Sequence, residues 1–190
     1  MSGVQIRLSA FNYKFYAEHP MTALNPHHRR LSLYVAKGTT CAKCGIVGTR
    51  LITGIDCCGN KHMDVYTEDL QMAITVGHII PKSHGGESEI FNLRPLCLKC
   101  NTKEGAGFDH LLRDLELFDQ VCKGRWVNRK NGNNFQNGKP MARVQAIFRS
   151  ARDNKIYFGF EGGFTYKAIG VKFIPKQLSD KYEEYYYEPT

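Results

Sequence analysis

Two pairs of cysteines share the same short spacing along the chain. Cys41 and Cys44 form one CxxC pair, and Cys97 and Cys100 form the other. Two intervening residues let one turn present both sulfur atoms to a tetrahedral ion, and two such turns complete a four-thiolate site. The chain has seven cysteines, and an odd number argues against a complete set of disulfide bonds. The spacing therefore predicts a closed structural zinc site, with disulfide pairing as the alternative if the protein is secreted.

Three further cysteines lie outside these pairs. Cys122 falls within an apolar helical pattern and is expected to pack in a core. Cys57 and Cys58 precede His62, but these residues offer too few matching ligands for a second ion. We therefore expect them to be ordinary turn cysteines.

Between the two cysteine pairs lies a segment with a histidine, an asparagine and several glycines at close spacing. It begins with Gly77-His78-Ile79-Ile80-Pro81, continues through Gly85-Gly86, and ends in Phe91-Asn92-Leu93-Arg94-Pro95-Leu96. Asn101 follows the last cysteine directly. A neutral imidazole can act as a general base near physiological pH, because its unperturbed pKa lies there.

In order and spacing these elements resemble the HNH endonucleases of the ββα-metal superfamily, over about residues 41–104. The resemblance implies endonucleolytic hydrolysis of DNA, with His78 as the general base on water. It implies that Asn92 braces the loop and orients the histidine. It also implies that Asn101 binds a catalytic divalent ion, Mg²⁺ or Mn²⁺, beside the structural Zn²⁺. Arg94 and Lys103 are then candidate phosphate contacts, because an arginine can hold phosphate oxygens in a fork.

One residue departs from the family pattern. The position before the family histidine is commonly an aspartate or another ligand, and here it is Gly77. With Asn101 as the sole motif ligand, an ion would bind weakly. The candidates for a replacement ligand are Asp64, Glu68, Asp69 and His84, although His84 is otherwise expected to be a solvent-facing loop residue.

Two alternatives to an active nuclease therefore stay open. The first is a catalytically inactive zinc-binding module that still binds nucleic acid, which the missing ligand at Gly77 favours. The second is a protein-interaction or inhibitor factor built on a nuclease scaffold. A metal-dependent cleavage assay separates the first from the enzyme, whereas the second predicts little affinity for DNA.

The charge of the chain agrees with a polyanionic partner. Lysine and arginine exceed aspartate and glutamate by 26 to 18, which gives a net charge of +8. A cationic surface attracts nucleic acid because neutralising phosphates releases condensed counterions. The resemblance to the HNH endonucleases implies duplex or branched DNA as the partner and makes RNA the less favoured one. Arg125, Arg129 and Lys130 form a basic cluster that is expected to contact phosphate. Trp126 beside them is expected either to pack against the β-rich appendage or to stack on bases.

No apolar run is long enough to cross a membrane, and the first residues lack the layout of a secretory signal. We therefore expect an intracellular, cytoplasmic protein without membrane partners. The compact layout is similar to that of nucleases from phages or mobile elements, which would place it in the host cell.

Hydrophobic periodicity predicts the secondary structure. A short helix is expected from Leu31 to Gly38, strands between 46 and 80 and at 92–97, and one amphipathic helix over 108–124. Residues 127–140 are rich in asparagine and glycine and are expected to form a loop. Beyond them, a hairpin around Ala151-Arg152-Asp153-Asn154 and one or two further strands are expected.

These elements predict an α+β protein: a ββα-metal (HNH) core stapled by the four-cysteine zinc site, with a C-terminal β-rich appendage. We expect an N-terminal extension over 1–40, the nuclease core over 41–125 and the appendage over 126–190. Three roles for the appendage stay open, namely target binding, recognition of a modified base, and homodimerisation. The acidic, tyrosine-rich tail would repel DNA.

Overall fold

The computed structural model describes residues 15–19, 29–55, 61–130 and 142–178. The strands in these ranges are β1 (Phe15–His19), β2 (Arg50–Ile55), β3 (Lys61–Tyr66), β4 (Ala73–His78), β5 (Leu93–Cys97), β6 (Trp126–Arg129), β7 (Ala142–Arg149), β8 (Ile156–Phe160), β9 (Thr165–Lys167) and β10 (Val171–Phe173). The helices are α1 (Arg29–Lys37), α2 (Leu98–Glu104), α3 (Asp109–Arg113) and α4 (Leu115–Val121). The chain divides into two compact units. The first comprises the described residues up to Gly77 together with Arg94–Lys103, and the second comprises His78–Leu93 and the described residues from Glu104 onward.

The first unit contains a five-stranded sheet in the order β1-β2-β3-β4-β5. The pairings of β1 with β2, β2 with β3 and β3 with β4 are antiparallel. Its core is formed by apolar side chains of the sheet and of α1: Leu31, Tyr34, Leu51, Val65, Ile74 and Leu96. The strands predicted between 46 and 80 and at 92–97 are confirmed, and β4, β5 and α2 follow one another in the predicted ββα order.

Helix α1 confirms the predicted helix before the first cysteine pair. Leu31 and Tyr34 are buried, and the Tyr34 hydroxyl donates a 2.6 Å hydrogen bond to the Ile74 carbonyl. The helix ends as predicted at Gly38, whose φ of +74° is a conformation that glycine adopts without strain. Val35 is 61% exposed, so the apolar face of α1 is narrower than the sequence pattern indicates.

The second unit contains another five-stranded sheet, in the order β10-β6-β7-β8-β9. Strands β7 and β8 pair antiparallel on either side of the predicted turn, which confirms the hairpin. Strands β9 and β10 confirm the further strands. Phe158 is fully buried in this unit, and its ring meets Phe108 edge-on at 5.2 Å and Phe173 edge-on at 5.7 Å. Cys122, also fully buried, packs in the same core as predicted.

The single amphipathic helix predicted over 108–124 is wrong, because two short helices, α3 and α4, occupy this segment. Asp114 separates them with a non-helical backbone (φ −134°, ψ 84°). Its side chain accepts a 2.9 Å hydrogen bond from the Leu117 backbone N–H and so caps α4. Leu115 is consequently turned outward and is 59% exposed.

Other sequence predictions are confirmed only in part or fall outside the described residues. The loop predicted over 127–140 begins with β6, whose register on β10 pairs Val127 with Phe173, so the prediction is wrong for its first residues. Residues 131–141, the acidic tail from 179 and the Cys57-Cys58 pair lie outside the described residues. Within the described ranges, no helix combines the length and the apolar character that crossing a membrane requires.

Phe158→Ala should lower the free energy of unfolding by about 3–5 kcal/mol, because it opens a cavity among three buried aromatic rings. Phe148→Ala is the matched control on the neighbouring strand. Phe148 is 38% exposed and stacks on Tyr157, so its loss should cost less than about 1 kcal/mol. Urea unfolding of the metal-loaded protein measures both. Equal costs would contradict the core described here.

Candidate functional site

The four cysteines of the two CxxC pairs converge in the first unit. Cys41 and Cys44 lie in the turn after α1, Cys97 ends β5, and Cys100 lies in the first turn of α2. Their sulfur atoms all lie within 4.8 Å of one another. This cluster confirms the predicted grouping and positions four thiols to bind a metal ion.

The spacing of the thiols fits a tetrahedral ion. The Sγ atoms of Cys44 and Cys97 are 3.8 Å apart. A zinc–sulfur bond of about 2.3 Å gives a tetrahedral edge of about 3.8 Å. The turn that carries the first pair is joined to β5, because the Ala42 N–H donates to the Pro95 carbonyl at 2.9 Å. The donor set and its support therefore fit a closed four-thiolate metal centre.

The ionisation of these thiols also favours a bound cation. Burial raises the pKa of Cys100 to about 12, and the three neighbouring thiols add to this rise. Burial likewise raises the pKa of Cys97. Burial opposes ionisation of Cys41 too, but hydrogen bonds from the backbone of Cys97, Cys44 and Lys43 outweigh it and lower the pKa to about 6. At neutral pH, Cys97 and Cys100 therefore need the charge of a metal ion to become thiolates.

Asn101, the predicted ligand of the catalytic ion, has a fixed amide orientation within the first unit. Its Nδ2 donates a 3.1 Å hydrogen bond to Thr75 Oγ1, which in turn donates to the Leu96 carbonyl at 2.9 Å. Because Nδ2 is held by the hydroxyl, Oδ1 is the amide atom left to accept from a donor or bind a cation. Thr75 thus selects the amide orientation that a metal ligand requires.

Gly77 lies beside this amide. A Cβ atom placed on Gly77 would be 3.4 Å from Asn101 Oδ1 and 2.5 Å from Leu96 Cδ1. A side chain at position 77 would therefore start next to the amide oxygen, which is where a second ligand of the same ion is needed. Glycine has no side chain to act as this ligand, and the Leu96 side chain occupies the adjoining space.

The carboxylates considered as replacement ligands have other partners in the first unit. Asp64 forms an ion pair with Arg30. Glu68 accepts from Arg50 at 2.5 Å, and Asp69 accepts from Thr67 Oγ1 at 2.5 Å. Among the described residues, the four cysteines are the one group of three or more His, Cys, Asp or Glu side chains placed to share an ion. Asn101 therefore offers a lone oxygen ligand, and an ion there would need further ligands from outside these side chains.

His78, the predicted general base, is the first residue of the second unit and is half-buried. Its Nε2 lies 3.2 Å from Ser88 Oγ. A hydrogen bond at one ring nitrogen restrains the orientation of the ring. Ser88 is therefore placed to orient the His78 side chain.

Asn92 closes the loop that follows His78. Its side chain is fully buried and makes three hydrogen bonds to backbone groups: Oδ1 accepts from the Ile80 N–H at 2.8 Å, and Nδ2 donates to the carbonyls of Ile80 at 3.0 Å and Glu87 at 2.8 Å. The loop packs closely here, because a Cβ atom on Gly86 would lie 1.7 Å from the Ile80 carbonyl oxygen. The amide thus acts as an internal brace for the segment between His78 and Leu93.

His110 fixes the same loop from α3. Its Nε2 lies 2.9 Å from the Ile79 carbonyl oxygen, one residue after His78, and its Nδ1 lies 3.3 Å from Glu104 Oε1. The Ile79 N–H donates to the Asn92 carbonyl at 2.8 Å. Both backbone groups of Ile79 are therefore held, which positions the backbone next to the predicted base. His110 is buried, as a structural residue should be.

The structure corrects the expectation that His84 faces solvent. His84 is 2% exposed and meets the Phe108 ring edge-on at 4.9 Å. Glycines allow this burial, because Gly85 has a φ of +82° and lies against the backbone of Phe173 with no room for a side chain. The loop is therefore folded inward at His84, which hydrophilic sequence alone does not reveal.

The five cations predicted to contact phosphate occupy different environments. Lys103 is exposed at the end of α2, and Arg129 is exposed with its guanidinium 5.6 Å from the Tyr166 ring centre. Lys130 is half-buried, and Arg94 is 9% exposed. Arg125 is buried, and its Nη2 binds Glu87 Oε2 and the Ile174 carbonyl, each at 2.8 Å. Arg125 therefore has internal partners, whereas Lys103 and Arg129 present charge to solvent.

Trp126 is half-buried, with the Arg143 guanidinium 5.8 Å from its ring centre. Its strand neighbours lie in the sheet of the second unit, where Trp126 pairs with Arg143. This arrangement agrees with the packing role weighed for it.

A comparison with known protein families finds a match, and it covers the motif segment. The sequence model of the HNH endonuclease family matches residues 56–107. This segment is therefore similar to the HNH endonuclease family. Together with the four-cysteine cluster, the match confirms the resemblance drawn from the motif and the α+β fold class. No curated protein and no solved structure matches the chain.

Sequence reasoning missed three residues that support the site, namely Thr75, Ser88 and His110. Thr75 and Ser88 carry small hydroxyls whose partners depend on the fold. His110 lies in an apolar helical pattern, and its contact with the Ile79 carbonyl depends on how α3 packs on the loop. A polar residue within an apolar strand, as Thr75 is in AITVGH, was the one available signal.

The purified chain should bind one tetrahedral metal ion through the four cysteines. Replacement of that ion by Co²⁺ should give the strong thiolate-to-metal absorption of an all-sulfur site. Cys44→Ser should weaken the band and the affinity, because one thiolate is lost. Cys122→Ala is the control, since Cys122 is buried in the core of the second unit and is not one of the four clustered thiols. An unchanged spectrum in Cys44→Ser would disprove the assignment.

Asn92→Ala should lower the free energy of unfolding by about 2–4 kcal/mol, because two carbonyls and one N–H lose their partner in a buried loop. Asn128→Ala, at a half-buried asparagine of β6, should cost less than about 1 kcal/mol. Thermal or urea unfolding compares them. A cost for Asn92→Ala no greater than that of the control would mean that the amide does not brace the loop.

Proposed function

We propose that this protein is a metal-dependent HNH endonuclease that hydrolyses phosphodiester bonds in DNA. The observation that carries the proposal is the set of hydrogen bonds that holds the loop between His78 and Leu93. The segment that the family model matches contains His78, Asn92, Asn101 and the second cysteine pair. Every polar side-chain atom of Asn92 binds the backbone of the loop after His78. A chain that needed only a zinc-bound scaffold would have no use for a histidine oriented by Ser88.

His78 would act as the general base. Ser88 Oγ would hold the ring through Nε2 while the imidazole takes a proton from the attacking water. The fixed backbone of Ile79 and the brace of Asn92 would keep the ring in place during the transfer, which preserves the alignment that proton transfer needs. Asn92, Ser88 and His110 are positioning residues in this account.

Asn101 would hold the catalytic ion through Oδ1, with Thr75 keeping the amide in that orientation. When bound, Mg²⁺ or Mn²⁺ supplies charge relief at the phosphate and the leaving oxygen. Because Gly77 adds no ligand, we propose that the scissile phosphate itself completes the coordination. Binding of the ion and of DNA would then depend on each other.

We further propose that the ion in the four-cysteine site is zinc, which favours four thiolates in a closed tetrahedron. Its role would be structural, since no coordination position remains for substrate. Lys103 and Arg129 are the exposed cations for phosphate contact, and Arg94 and Lys130 would add charge from partly buried positions. We expect duplex or branched DNA to be cut, and we retain 41–125 as the predicted nuclease core.

A second function is favoured by one observation. The missing ligand at Gly77 and the occupied carboxylates Asp64, Glu68 and Asp69 would suit a nucleic-acid-binding module that has lost catalysis. Such a module would bind DNA with a strong salt dependence and would not cut it.

The zinc-loaded protein should nick or linearise supercoiled plasmid when Mg²⁺ or Mn²⁺ is present, and EDTA should stop the cutting. His78→Ala should reduce the rate by at least about a hundredfold, because the general base is lost. Lys123→Ala is a control at an exposed lysine paired with Asp119 on α4, and its rate should stay near that of the wild type. Cutting that persists in His78→Ala would refute the assigned base, and a folded wild type without cutting on plasmid, branched DNA or RNA would favour the binding module.

Gly77→Asp should restore a carboxylate next to Asn101 Oδ1. Leu96→Val is needed in the same chain, because Leu96 Cδ1 would otherwise lie 2.5 Å from the new Cβ. The double variant should reach half-maximal cutting at about tenfold lower Mn²⁺ concentration, since a carboxylate binds the ion more tightly than water. Leu96→Val alone and Gly77→Asn with Leu96→Val are the controls. An unchanged Mn²⁺ requirement in the aspartate variant would show that the ion does not bind at Asn101.

A further inference from the structure

The second unit contains a cavity of about 350 Å³ that the proposed cleavage does not use. Its walls come from the start of α3, the β7–β8 hairpin and the turn at Ala168–Gly170. Phe108, Ile156 and Ile169 provide apolar surface, and His84 lies among them. The volume falls in the lower part of the range of roughly 300–1,000 Å³ that small-molecule sites occupy.

His84 brings a buried polar atom without a hydrogen bond to this cavity. Its Nδ1 lies 3.1 Å from Ser83 Oγ, whereas Nε2 is buried and has no hydrogen-bond partner among the described residues. The Ile169 carbonyl is near enough to raise the pKa slightly, but it lies outside hydrogen-bond geometry. Burial, assisted by the charge of Lys130, lowers the pKa, so the imidazole is neutral at pH 7. A buried nitrogen of this kind is costly unless a ligand satisfies it.

The rim of the cavity is cationic. Arg149, Lys155 and Lys167 line it together with one carboxylate, Asp109. Arg149 is held by Asp109 at 2.5 Å, and Lys167 lies 3.4 Å from Asp153. Lys155 is exposed and has no ion-pair partner within the part of the chain that the structure describes. An anionic group at this rim would therefore be attracted, above all by Lys155.

We propose that this cavity binds a nucleotide, with the base against Phe108 and Ile156 and hydrogen-bonded to His84 Nε2, and the phosphate at Lys155 and Lys167. A flat heterocycle that carries both a hydrogen-bonding edge and a phosphate matches the three kinds of surface present. An apolar ligand would leave His84 and the cations unused, and an inorganic phosphate would leave the aromatic wall unused.

Two sources can supply such a nucleotide. One is a free mononucleotide, and the other is a nucleotide of the DNA substrate turned out of its stack. The site involves none of the residues assigned to cleavage, so it stands whether or not His78 proves to be a catalytic base.

The first experiment measures binding of dAMP, dGMP, dCMP and dTMP to the zinc-loaded His78→Ala chain by isothermal titration calorimetry. At least one of them should bind with one-to-one stoichiometry. Gly107→Leu should weaken that binding at least tenfold, because Gly107 lines the cavity and a leucine side chain would fill part of it. The protein should accept the substitution, since a new Cβ meets no atom closer than 3.4 Å. Lys155→Ala should weaken it about tenfold, and His84→Phe should do so while keeping an aromatic ring. Arg152→Ala, at an exposed cation of the same hairpin that does not line the cavity, should bind like the parent.

The second arm separates the two sources. A duplex with one 2-aminopurine should gain fluorescence on binding to the His78→Ala chain, and this gain should be lost with Gly107→Leu if the site takes an extrahelical nucleotide. Binding of mononucleotides without that gain would assign the site to free nucleotides. No binding of any of the four at millimolar concentration, or binding that Gly107→Leu leaves unchanged, would overturn the proposal.

Discussion

Four thiols within 4.8 Å of one another are the constraint on which the first unit depends. Such a group is stable as thiolates only around a cation, and a bound cation would join two separate pieces of chain. These are the turn after α1, which carries Cys41 and Cys44, and the junction of β5 with α2, which carries Cys97 and Cys100. Asn101 follows Cys100 directly, so a metal bound there would also fix the backbone next to the residue that is proposed to bind the catalytic ion. In the proposed function, a structural ion would help to position a functional one without taking part in the chemistry.

The second unit contains an irregular loop that is held in one conformation by side-chain hydrogen bonds. The segment from His78 to Leu93 contains no long helix or strand, so its backbone groups need partners from side chains. Asn92 satisfies three of them, and His110 satisfies the Ile79 carbonyl. Glu87 extends the brace to the C-terminal part of this unit, since its carboxylate accepts from Arg125 and from the Lys176 N–H. The β-rich C-terminal region therefore supports the motif loop and is more than an attached module.

Much of the secondary structure and the four-cysteine cluster could be predicted from the sequence, because the type and spacing of these residues indicate their roles. Two CxxC pairs predict one metal centre, and the apolar periods predict α1, β4, β5 and the β7–β8 hairpin. The sequence predictions fail where a single polar side chain interrupts a helix that the apolar period alone would continue. Asp114 caps α4 and splits a helix that the apolar stripe alone would continue. His84 is buried because glycines fold its loop against other strands, and the roles of Thr75 and Ser88 depend on partners far away or across a loop. Tertiary contacts of this kind leave no periodic signal.

The central claim is that the HNH segment is catalytically competent, with a divalent ion at Asn101 that binds together with DNA. The most direct measurement is anomalous diffraction from crystals of the zinc-loaded His78→Ala protein with duplex DNA and Mn²⁺. We expect a zinc peak at the four cysteines and a manganese peak in contact with Asn101 Oδ1 and a backbone phosphate. A zinc peak with DNA bound and no manganese at Asn101 would contradict the account and would leave a metal-stabilised module that binds DNA without cutting it.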